Sequence, residues 1–437
     1  MEIDKITLDD LSVFSEDDLS VFNKLDHTRT TNGRAQLRVN FNTPLNTVGA
    51  IQGVQQTVQL IIDHQSLWPM RISNGTLMVI EKFYLATLDE IPADPSAFAA
   101  YNYKLFHGPD FSLVKYSVRH AFDFIKGMQL FCQYFLQDKS PAPLYKLLLK
   151  AKQLIGKEQF VIIEKNNKAE DLSAAAQLHL ANFLRYRYKQ NMIELLAIYA
   201  QLDAWYGMAQ AVQQCSLVFP QFVETDQPIF DGKGLYHILL TDPVTYEMNL
   251  HKENNFLFLT GANMAGKSTF IKSVGTAVFL AHIGMGVPAK ELRLSLFDGL
   301  LSNINVADNI LKGESYFYNE VQRIKATVTK ISDGRKWLIL IDELFKGTNV
   351  EDAMKCSSTV IEGLVKMKNS LFILSTHLYE IADGLKKYAN ISFYYFETTT
   401  TVDQLQFSYQ LKKGVSNDRL GYLILQREGV VDLLKQL

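Results

Sequence analysis

The fold of this chain is decided by the stretch Phe258-Leu259-Thr260-Gly261-Ala262-Asn263-Met264-Ala265-Gly266-Lys267-Ser268-Thr269. A short apolar run, residues 256–259, leads into it and predicts a buried strand, and an apolar segment that suits a helix follows it. The order of strand, G-x-x-x-x-G-K-S loop and helix is typical of the P-loop, which binds polyphosphates. A chance glycine loop is the alternative, but the motifs downstream favour the phosphate site.

The residue types of this loop suit the phosphates of a nucleotide. Gly261 and Gly266 let backbone N–H groups wrap a polyphosphate, and the helix N-terminus adds free donors and a favourable dipole. Lys267 is predicted to reach the β- and γ-phosphates, and the Ser268 hydroxyl is predicted to bind Mg²⁺. The predicted nucleotide-binding residues of the loop are Gly261, Ala262, Asn263, Met264, Ala265, Gly266, Lys267, Ser268 and Thr269.

A pair of carboxylates follows a second apolar run farther along the chain. Residues 338–341 predict a central parallel strand, and Asp342 and Glu343 come at its C-terminal edge, where open α/β sheets bind ligands. Asp342 is predicted to hold Mg²⁺ through water, and Glu343 to orient and deprotonate the attacking water as the catalytic base. An acidic surface turn is the alternative, which the upstream P-loop disfavours.

Two further positions carry weaker signals. His377 ends the next apolar strand, where it would lie beside the γ-phosphate and sense it; a core histidine with satisfied hydrogen bonds is the alternative. Ser315 follows Gly313 and Glu314 at a predicted helix N-terminus, and it offers a hydroxyl and free backbone donors to an anion. Taken alone, that second pattern favours an ordinary helix cap.

The composition indicates an ordinary soluble globular protein. The 437 residues suffice for two or three domains, 47% of them are hydrophobic and 21% are charged, and the net charge is −2. A charge so near zero gives no global basic field for nucleic acid, although a local basic face stays open. Cys132, Cys215 and Cys356 have no metal-binding spacing and are expected to be free thiols in a reducing compartment.

The sequence shows no segment suited to secretion or to membrane insertion. The N-terminus is polar and acidic, and the most apolar long run, residues 274–287, is shorter than the roughly 20 helical residues that span a bilayer. That run is better explained as the buried helix behind the P-loop. A cytoplasmic protein without membrane contact is therefore expected.

The chain divides by pattern into a helical part and an α/β part. Residues 109–215 show sustained helical periodicity, whereas strand-like apolar runs alternate with helices from about residue 251. Residues 76–84 fit a helix or a strand, and residues 172–215 fit one long helix or two that are joined tightly. Residues 183–189 interleave basic and aromatic side chains, which suits nucleic-acid binding or a solvated helix face, and the solvated face is favoured.

Together these motifs resemble the ATPase domain of the MutS family of DNA mismatch-repair proteins. Residues 260–269 are similar to the family's T-G-P-N-M-G-G-K-S-T, and the Asn263-Met264 pair separates that pattern from other P-loops. Further segments that resemble parts of the family are residues 6–60, 234–237, 307–317, 342–349, 375–377 and 407–415. The resemblance covers both ends of the N-terminal half and nearly all of the C-terminal half.

The resemblance implies an ATPase that works as a homodimer. In this family the signature serine of one subunit completes the ATP site of its partner, so Gly313 and Ser315 would act in trans. Bound ATP would join two ATPase domains, Mg²⁺-dependent hydrolysis would release them, and helical levers would carry the change outward. Tyr246 is the nearest candidate for the aromatic residue that stacks on adenine in the family.

The sequence departs from the family pattern in missing domains and in several motif residues. The mismatch-reading and connector domains have no room before residue 6, and residues 155–172 are too few for the DNA clamp. Ala262 and Ala265 replace a proline and a glycine, and Ala265 suits a left-handed backbone less well. Lys346 stands where an arginine is common. A short member of the family is therefore expected.

These observations combine into one prediction of fold and function. The fold class is a mainly α-helical lever, or core, domain at residues 1–220, followed by an α/β P-loop ATPase domain of the ABC-type, MutS-like kind at residues 221–437. The protein is predicted to bind and hydrolyse ATP and to act on mismatched or branched DNA, in mismatch repair or a related process. The alternative is an ATP-dependent dimerisation switch that binds a protein partner without DNA contact, which the near-neutral charge favours.

Overall fold

The computed structural model describes residues 1–15, 19–262, 264–305, 316–400, 405–416, 425–426 and 429–435. In this part of the chain a helical region is followed by a mixed α/β region, which confirms the predicted fold class. The chain divides into a helical unit, Leu25–Thr43 and Gln52–Gln214, and an α/β unit, Met1–Lys24, Pro44–Ile51 and Cys215–Leu437. The segments 1–24 and 44–51, which the sequence pattern groups with the helices, are thus part of the α/β unit.

The described helices follow one another along the chain in this order: α1 (Lys5–Asp10), α2 (Val21–Leu25), α3 (Thr31–Asn42), α4 (Val48–Asp63), α5 (Asn74–Leu85), α6 (Ala97–Phe106), α7 (Gly108–Phe135), α8 (Ala142–Ile155), α9 (Val161–Lys165), α10 (Ala174–Asn182), α11 (Lys189–Gln214), α12 (Lys267–His282), α13 (Tyr316–Ile331), α14 (Val350–Leu364), α15 (Ala382–Leu385) and α16 (Val430–Lys435). A π-helical turn, Phe183–Arg187, joins α10 to α11.

The described strands form two sheets. They are β1 (Glu2–Ile3), β2 (Gln221–Val223), β3 (Ile229–Leu235), β4 (Tyr246–His251), β5 (Phe256–Thr260), β6 (Glu291–Ser295), β7 (Gly299–Asn303), β8 (Trp337–Asp342), β9 (Ser370–Ser375), β10 (Ile391–Thr400) and β11 (Leu405–Lys413). Seven of them lie in the order β1-β7-β8-β9-β5-β10-β11, parallel as far as β10, with β11 antiparallel to it. The other four lie in the order β2-β6-β3-β4.

The helical unit is packed by the apolar stripe that its periodicity predicts. Along α7, buried side chains recur three or four residues apart, at Phe111, Val114, Val118, Phe122 and Ile125. Aromatic rings fill the same core: Trp68 stacks on Tyr206 with ring centroids 4.7 Å apart and meets Phe131 edge-on, also at 4.7 Å. Such ring pairs contribute roughly 0.5–1.5 kcal/mol each beyond the burial of their area.

The segment that fits a helix or a strand by pattern, residues 76–84, is helical and lies in α5. A capping box begins this helix: the Ser73 hydroxyl accepts from the backbone N–H of Thr76 at 3.2 Å, and the Thr76 hydroxyl accepts from the N–H of Ser73 at 3.3 Å. Two backbone donors at the helix start are satisfied in this way, which a strand would not require.

Residues 172–215 form two helices rather than one, because the π-helical turn interrupts them. Some of the basic and aromatic side chains of residues 183–189 pack within the helical unit. The Arg185 guanidinium donates to the backbone carbonyls of Phe83 and Ala86, and the buried Tyr188 donates its hydroxyl to Leu154 O at 2.8 Å. Tyr186, by contrast, is 51% exposed. Most of this segment therefore has a structural explanation within the helical unit.

The central strands of the large sheet are buried along their whole length. Every residue of β5, β8 and β9 is buried, which explains why these strands are continuous apolar runs rather than alternating ones. Asp342 at the end of β8 pairs in register with Ser375 at the end of β9, and Leu259 of β5 also pairs with Ser375. Parallel strands end at the same edge, so the P-loop and the acidic pair are adjacent.

The N-terminal segment completes this sheet. Glu2 and Ile3 pair in parallel with Gly299 and Leu300 of β7. The helix that follows carries Asp10, which is 2% exposed. Its carboxylate accepts from the Ser302 hydroxyl at 2.6 Å and, at 3.0 Å each, from two backbone N–H groups at the end of β7, those of Ile304 and Asn305. These bonds hold residues 1–10 to the α/β unit.

The cysteines and the helices of the described residues bear on two expectations, free thiols and no membrane-spanning segment. Cys132, Cys215 and Cys356 are free cysteines, as predicted. No helix in the described part of the chain is both long and apolar enough to pass through a bilayer.

A fully buried histidine lies at the end of α12. His282 Nδ1 lies 2.8 Å from the backbone oxygen of Val278, and its Nε2 accepts from the backbone N–H of Phe297 at 3.1 Å. Both ring nitrogens are thus satisfied when the ring is neutral, with the proton on Nδ1. Burial lowers the pKa of His282 to about 4.

We expect the α/β unit to lose stability in mild acid because of His282. The unfolded side chain takes up a proton near its ordinary pKa of about 6.5, whereas the folded one does so only near 4. The stabilisation is therefore present above pH 6.5 and is lost as the pH falls, by about 2 kcal/mol between pH 7.5 and pH 5. Urea unfolding at the two pH values measures this loss. His282→Gln keeps an acceptor for Phe297 and does not titrate, so an equal loss in that variant would contradict the assignment.

Candidate nucleotide-binding site

The P-loop connects the buried strand β5 to helix α12. Gly261 and Gly266 have φ values of +140° and +104°, in the region that side chains disfavour, and Gly266 is the residue before the first turn of α12. The third left-handed residue is Met264, with φ +70°, whereas Ala265 is not left-handed and is buried. An alanine at position 265 is therefore compatible with this loop. Asn263 lies outside the described residues.

The Lys267 side chain folds back into its own loop. Its Nζ donates to the backbone oxygens of Gly261 at 2.7 Å and of Ala262 at 3.0 Å, and the residue is 5% exposed. Burial lowers the pKa of the ammonium, and the carboxylates of Glu343 and Asp342 oppose that shift. A buried cation held at the mouth of a glycine loop is suited to an anionic phosphate.

The oxygen atoms predicted to bind Mg²⁺ meet at the edge of the sheet. Ser268 donates its hydroxyl to one oxygen of Asp342, and Ser375 donates its hydroxyl to the other. Hydroxyl and carboxylate oxygens are the ligands that Mg²⁺ prefers, so Ser268 and Asp342 form a donor set that fits this ion. Ser375 was not predicted from the sequence as a site residue. Its pairing with Asp342 is a consequence of the strand register.

Glu343 lies just beyond Asp342 in the sequence, and its carboxylate lies between the side chains of Lys346 and His377. Its Oε2 is 3.1 Å from Lys346 Nζ and 3.8 Å from His377 Nδ1. His377 and Lys346 together hold the pKa of Glu343 at about 2, against the opposing effect of burial. The side chain of His377 is 55% exposed, which disagrees with the alternative of a histidine in the core. Glu343 and Lys346, which belong to one sequence motif, are thus neighbours of His377, which belongs to another.

The backbone around Glu343 is strained. Glu343 has φ +62° and Phe345 has φ +60°, and neither is a glycine. A left-handed conformation costs an L-residue roughly 1–2 kcal/mol. Strain of this kind persists only where surrounding contacts hold it, and it is concentrated at functional sites.

A cavity of about 480 Å³ lies over the P-loop, which is within the usual range for small-molecule sites. Its polar side is formed by Lys267, Ser268 and Glu343, and Leu240 and Val244 contribute to its apolar side. The polar side suits phosphates and the apolar side suits a flat base, so the cavity has the two chemistries that a nucleotide requires.

Two tyrosines line this cavity in different ways. Tyr246, the residue predicted to stack on adenine, is 4% exposed, and its ring packs nearly perpendicular to Phe270 at 5.2 Å and to Phe396 at 5.8 Å. Tyr409 is 41% exposed, and its ring lies above Gly266. Of the two, Tyr409 therefore offers the more accessible ring face to a base. It lies in a segment that resembles the family, but no motif marks the position.

Three residues of the predicted site, Asn263, Gly313 and Ser315, lie outside the described residues. Nucleotide binding by Asn263 and the contact of Gly313 and Ser315 with the partner's ATP site therefore remain predictions. Apart from Tyr246, which lies in the four-stranded sheet, the other predicted residues lie at the C-terminal edge of the seven-stranded sheet. They are Gly261, Ala262, Met264, Ala265, Gly266, Lys267, Ser268, Thr269, Asp342, Glu343 and His377.

Comparison of the sequence with known proteins shows a family match for the C-terminal part of this chain. Residues 257–432 match MutS domain V. The chain is 26% identical over 301 residues to the DNA mismatch repair protein MutS of Streptococcus suis, which covers 67% of this chain and 35% of that protein. It is 33% identical over 170 residues to the DNA mismatch repair protein spellchecker 1 of Drosophila melanogaster, covering 39% of this chain and 18% of that protein. The chain thus spans about a third or less of these relatives, and the predicted family resemblance is confirmed.

We expect Tyr409→Ala to weaken nucleotide binding and to leave the chemical step intact. Loss of stacking on a base costs roughly 1–3 kcal/mol, so the KM for ATP should rise by about tenfold while kcat stays within twofold. Tyr409→Phe keeps the ring and should bind as the unmodified chain does. Steady-state kinetics with all three proteins measures the effect. An unchanged KM in the alanine variant would show that the ring does not contact the base.

Proposed function

This chain belongs to the MutS domain V ATPase family, and from that premise we propose that it binds ATP and hydrolyses it with Mg²⁺ to control the association of two copies. The observation that carries the proposal is a cavity at the edge of the sheet that is lined by Lys267, Ser268 and Glu343, with Asp342 hydrogen-bonded to Ser268 beside it. Each of these residue types has a separate task in phosphoryl transfer, and the cavity brings the tasks together.

The triphosphate would lie along the P-loop. Backbone N–H groups of residues 264–269 and the N-terminus of α12 suit the phosphate oxygens, and Lys267 would exchange its bonds to the carbonyls of Gly261 and Ala262 for bonds to phosphate. Ser268 and Asp342 would hold Mg²⁺, which supplies charge neutralisation for the phosphate oxygens when bound. Ser375 would keep the Asp342 carboxylate in place through the hydroxyl bond.

Glu343 would orient the attacking water and accept its proton. With a pKa of about 2, the carboxylate is ionised at every pH at which the protein is expected to work. It therefore needs no prior deprotonation, and protonation of Glu343 should not lower the rate of ATP hydrolysis in weak acid. His377 and Lys346 would fix its orientation, and the exposed imidazole of His377 would face the γ-phosphate.

The association of two copies would be completed by the segment that contains Gly313 and Ser315. Gly313 and Ser315 would contact the nucleotide of the second copy in trans, so that ATP joins the two α/β units and hydrolysis releases them. The MutS domain V membership supports this arrangement. The helical unit would then transmit the change to whatever it binds.

DNA is the proposed target of this protein. The relatives named above are DNA mismatch repair proteins, which supports a role on mismatched or branched DNA. A second candidate is a switch that binds a protein partner and makes no DNA contact. The net charge of −2 favours this second candidate, because DNA-binding surfaces are usually basic.

We expect Glu343→Gln to bind ATP and to hydrolyse it at least 100-fold more slowly, because the amide cannot accept the proton of water. The variant should accumulate as an ATP-bound dimer, which light scattering with and without ATP measures. Glu351→Gln, an equivalent change of an exposed glutamate in the first turn of α14, is the control and should behave as the unmodified chain does. Turnover at the unmodified rate in Glu343→Gln would rule out this residue as the base.

The two candidate functions differ in their expected response to salt. If the protein acts on DNA, a titration of mismatched, branched and intact duplexes with an ATP analogue present should show binding. That binding should weaken steeply between about 50 and 200 mM salt, because phosphate contacts release counterions. The absence of binding to all three DNA forms at the lower salt would leave the protein-partner switch as the supported function.

A further inference from the structure

A buried carboxylate holds the loop that follows Glu343. Glu320, on helix α13, is 3% exposed. Its Oε1 accepts from the backbone N–H of Lys346 at 3.1 Å, and its Oε2 accepts from the backbone N–H of Gly347 at 3.2 Å. Both oxygens of one side chain are thus used on two consecutive residues of the loop, which fixes the position and the orientation of that peptide.

A second contact from the same helix supports the same loop. The ring of Phe317 meets the ring of Phe345 with centroids 5.7 Å apart, and Phe345 is buried. Phe317 and Glu320 are three residues apart and lie on one face of α13. The loop between β8 and α14 therefore rests on one helix face. The left-handed residue Phe345 lies within the segment held by these contacts, and the left-handed residue Glu343 lies two residues before it.

Helix α13 is itself fixed to the sheet one turn farther on. The Arg323 guanidinium donates to Asn305 O at 2.6 Å, to Ser302 O at 3.0 Å and to the Asp10 carboxylate at 3.1 Å. Asp10 in turn holds the backbone of residues 304 and 305, at the end of β7. The helix that holds the Glu343 loop is therefore anchored by charge-assisted bonds, which are about twice as strong as neutral ones.

From these contacts we propose that Glu320 is a positioning residue for ATP hydrolysis: it holds the Lys346–Gly347 backbone and so sets the place of Glu343 relative to the γ-phosphate. The inference rests on the proposed function. It also connects the predicted signature residue Ser315 with Glu343 inside one chain, because α13 begins at Tyr316, the residue after Ser315 in the sequence. A displacement of this helix would move the catalytic carboxylate with it, because Glu320 and Phe317 join helix and loop.

The test is Glu320→Gln in the full chain. The amide keeps one acceptor, but it turns an NH₂ group toward the second backbone N–H, so one bond of the pair is lost. Loss of a hydrogen bond to a charged group predicts a fall in kcat of about 10- to 100-fold. The KM for ATP and the affinity for a non-hydrolysable analogue should stay within about twofold, because Glu320 lies outside the cavity lining.

Two further measurements separate positioning from a general loss of structure. Hydrogen exchange at the amides of Lys346 and Gly347, without nucleotide, should be faster in Glu320→Gln than in the unmodified chain and in Glu351→Gln. In a Glu343→Gln background, adding Glu320→Gln should lower the residual kcat by less than about twofold, since the group that Glu320 positions is already removed.

Defined outcomes would overturn the proposal. They are a kcat within twofold of an active unmodified chain, equal amide exchange in the two proteins, or a full multiplicative loss in the double variant. An unmodified chain that hydrolyses no ATP counts against the proposed function instead. In that case the amide exchange still decides whether Glu320 holds the loop, and equal exchange again overturns its role.

Discussion

The bonds of Asp342 are the constraint on which the rest of the site depends. One oxygen of this buried carboxylate accepts from Ser268, at the start of α12, and the other from Ser375, at the end of β9. A buried carboxylate without such partners would be costly, so the strand, the P-loop helix and the neighbouring strand must keep their register for the site to be stable. The same oxygens are suited to a divalent cation, so the structural requirement and the chemical one are met by a single side chain.

Buried carboxylates serve the same purpose elsewhere in the α/β unit. Asp10 binds the end of β7 and Arg323, and Glu320 binds the loop after Glu343. In each case the acceptor comes from one segment and the donors come from another that is distant in sequence. Carboxylates used in this way fix backbone positions more narrowly than apolar contacts do, because both the distance and the direction of a hydrogen bond are restricted.

The sequence was sufficient for the features that depend on local pattern. The apolar runs at β5, β8 and β9, the glycine loop and the residues after each strand placed Lys267, Asp342 and Glu343 at one edge, since parallel strands end together. It was insufficient where tertiary contacts decide. Tyr246 and Tyr409 are the same residue type, and only the packing around Tyr246 shows that Tyr409 has the more exposed ring. The capping box of α5 could be predicted from the sequence, because Ser73 and Thr76 stand three residues apart. The spacing of the apolar residues alone did not distinguish a helix from a strand in this segment.

The N-terminal strand has a consequence for the order in which the protein folds. The Thr7 hydroxyl accepts from the backbone N–H of Ser302, a contact between residues 295 positions apart, and Glu2 lies beside Gly299. During synthesis these first residues must wait until β7 emerges, and by then residues 52–214 of the helical unit have been made and can already be compact. Closing so large a loop is slow, so completion of the seven-stranded sheet is expected to be a late step in folding.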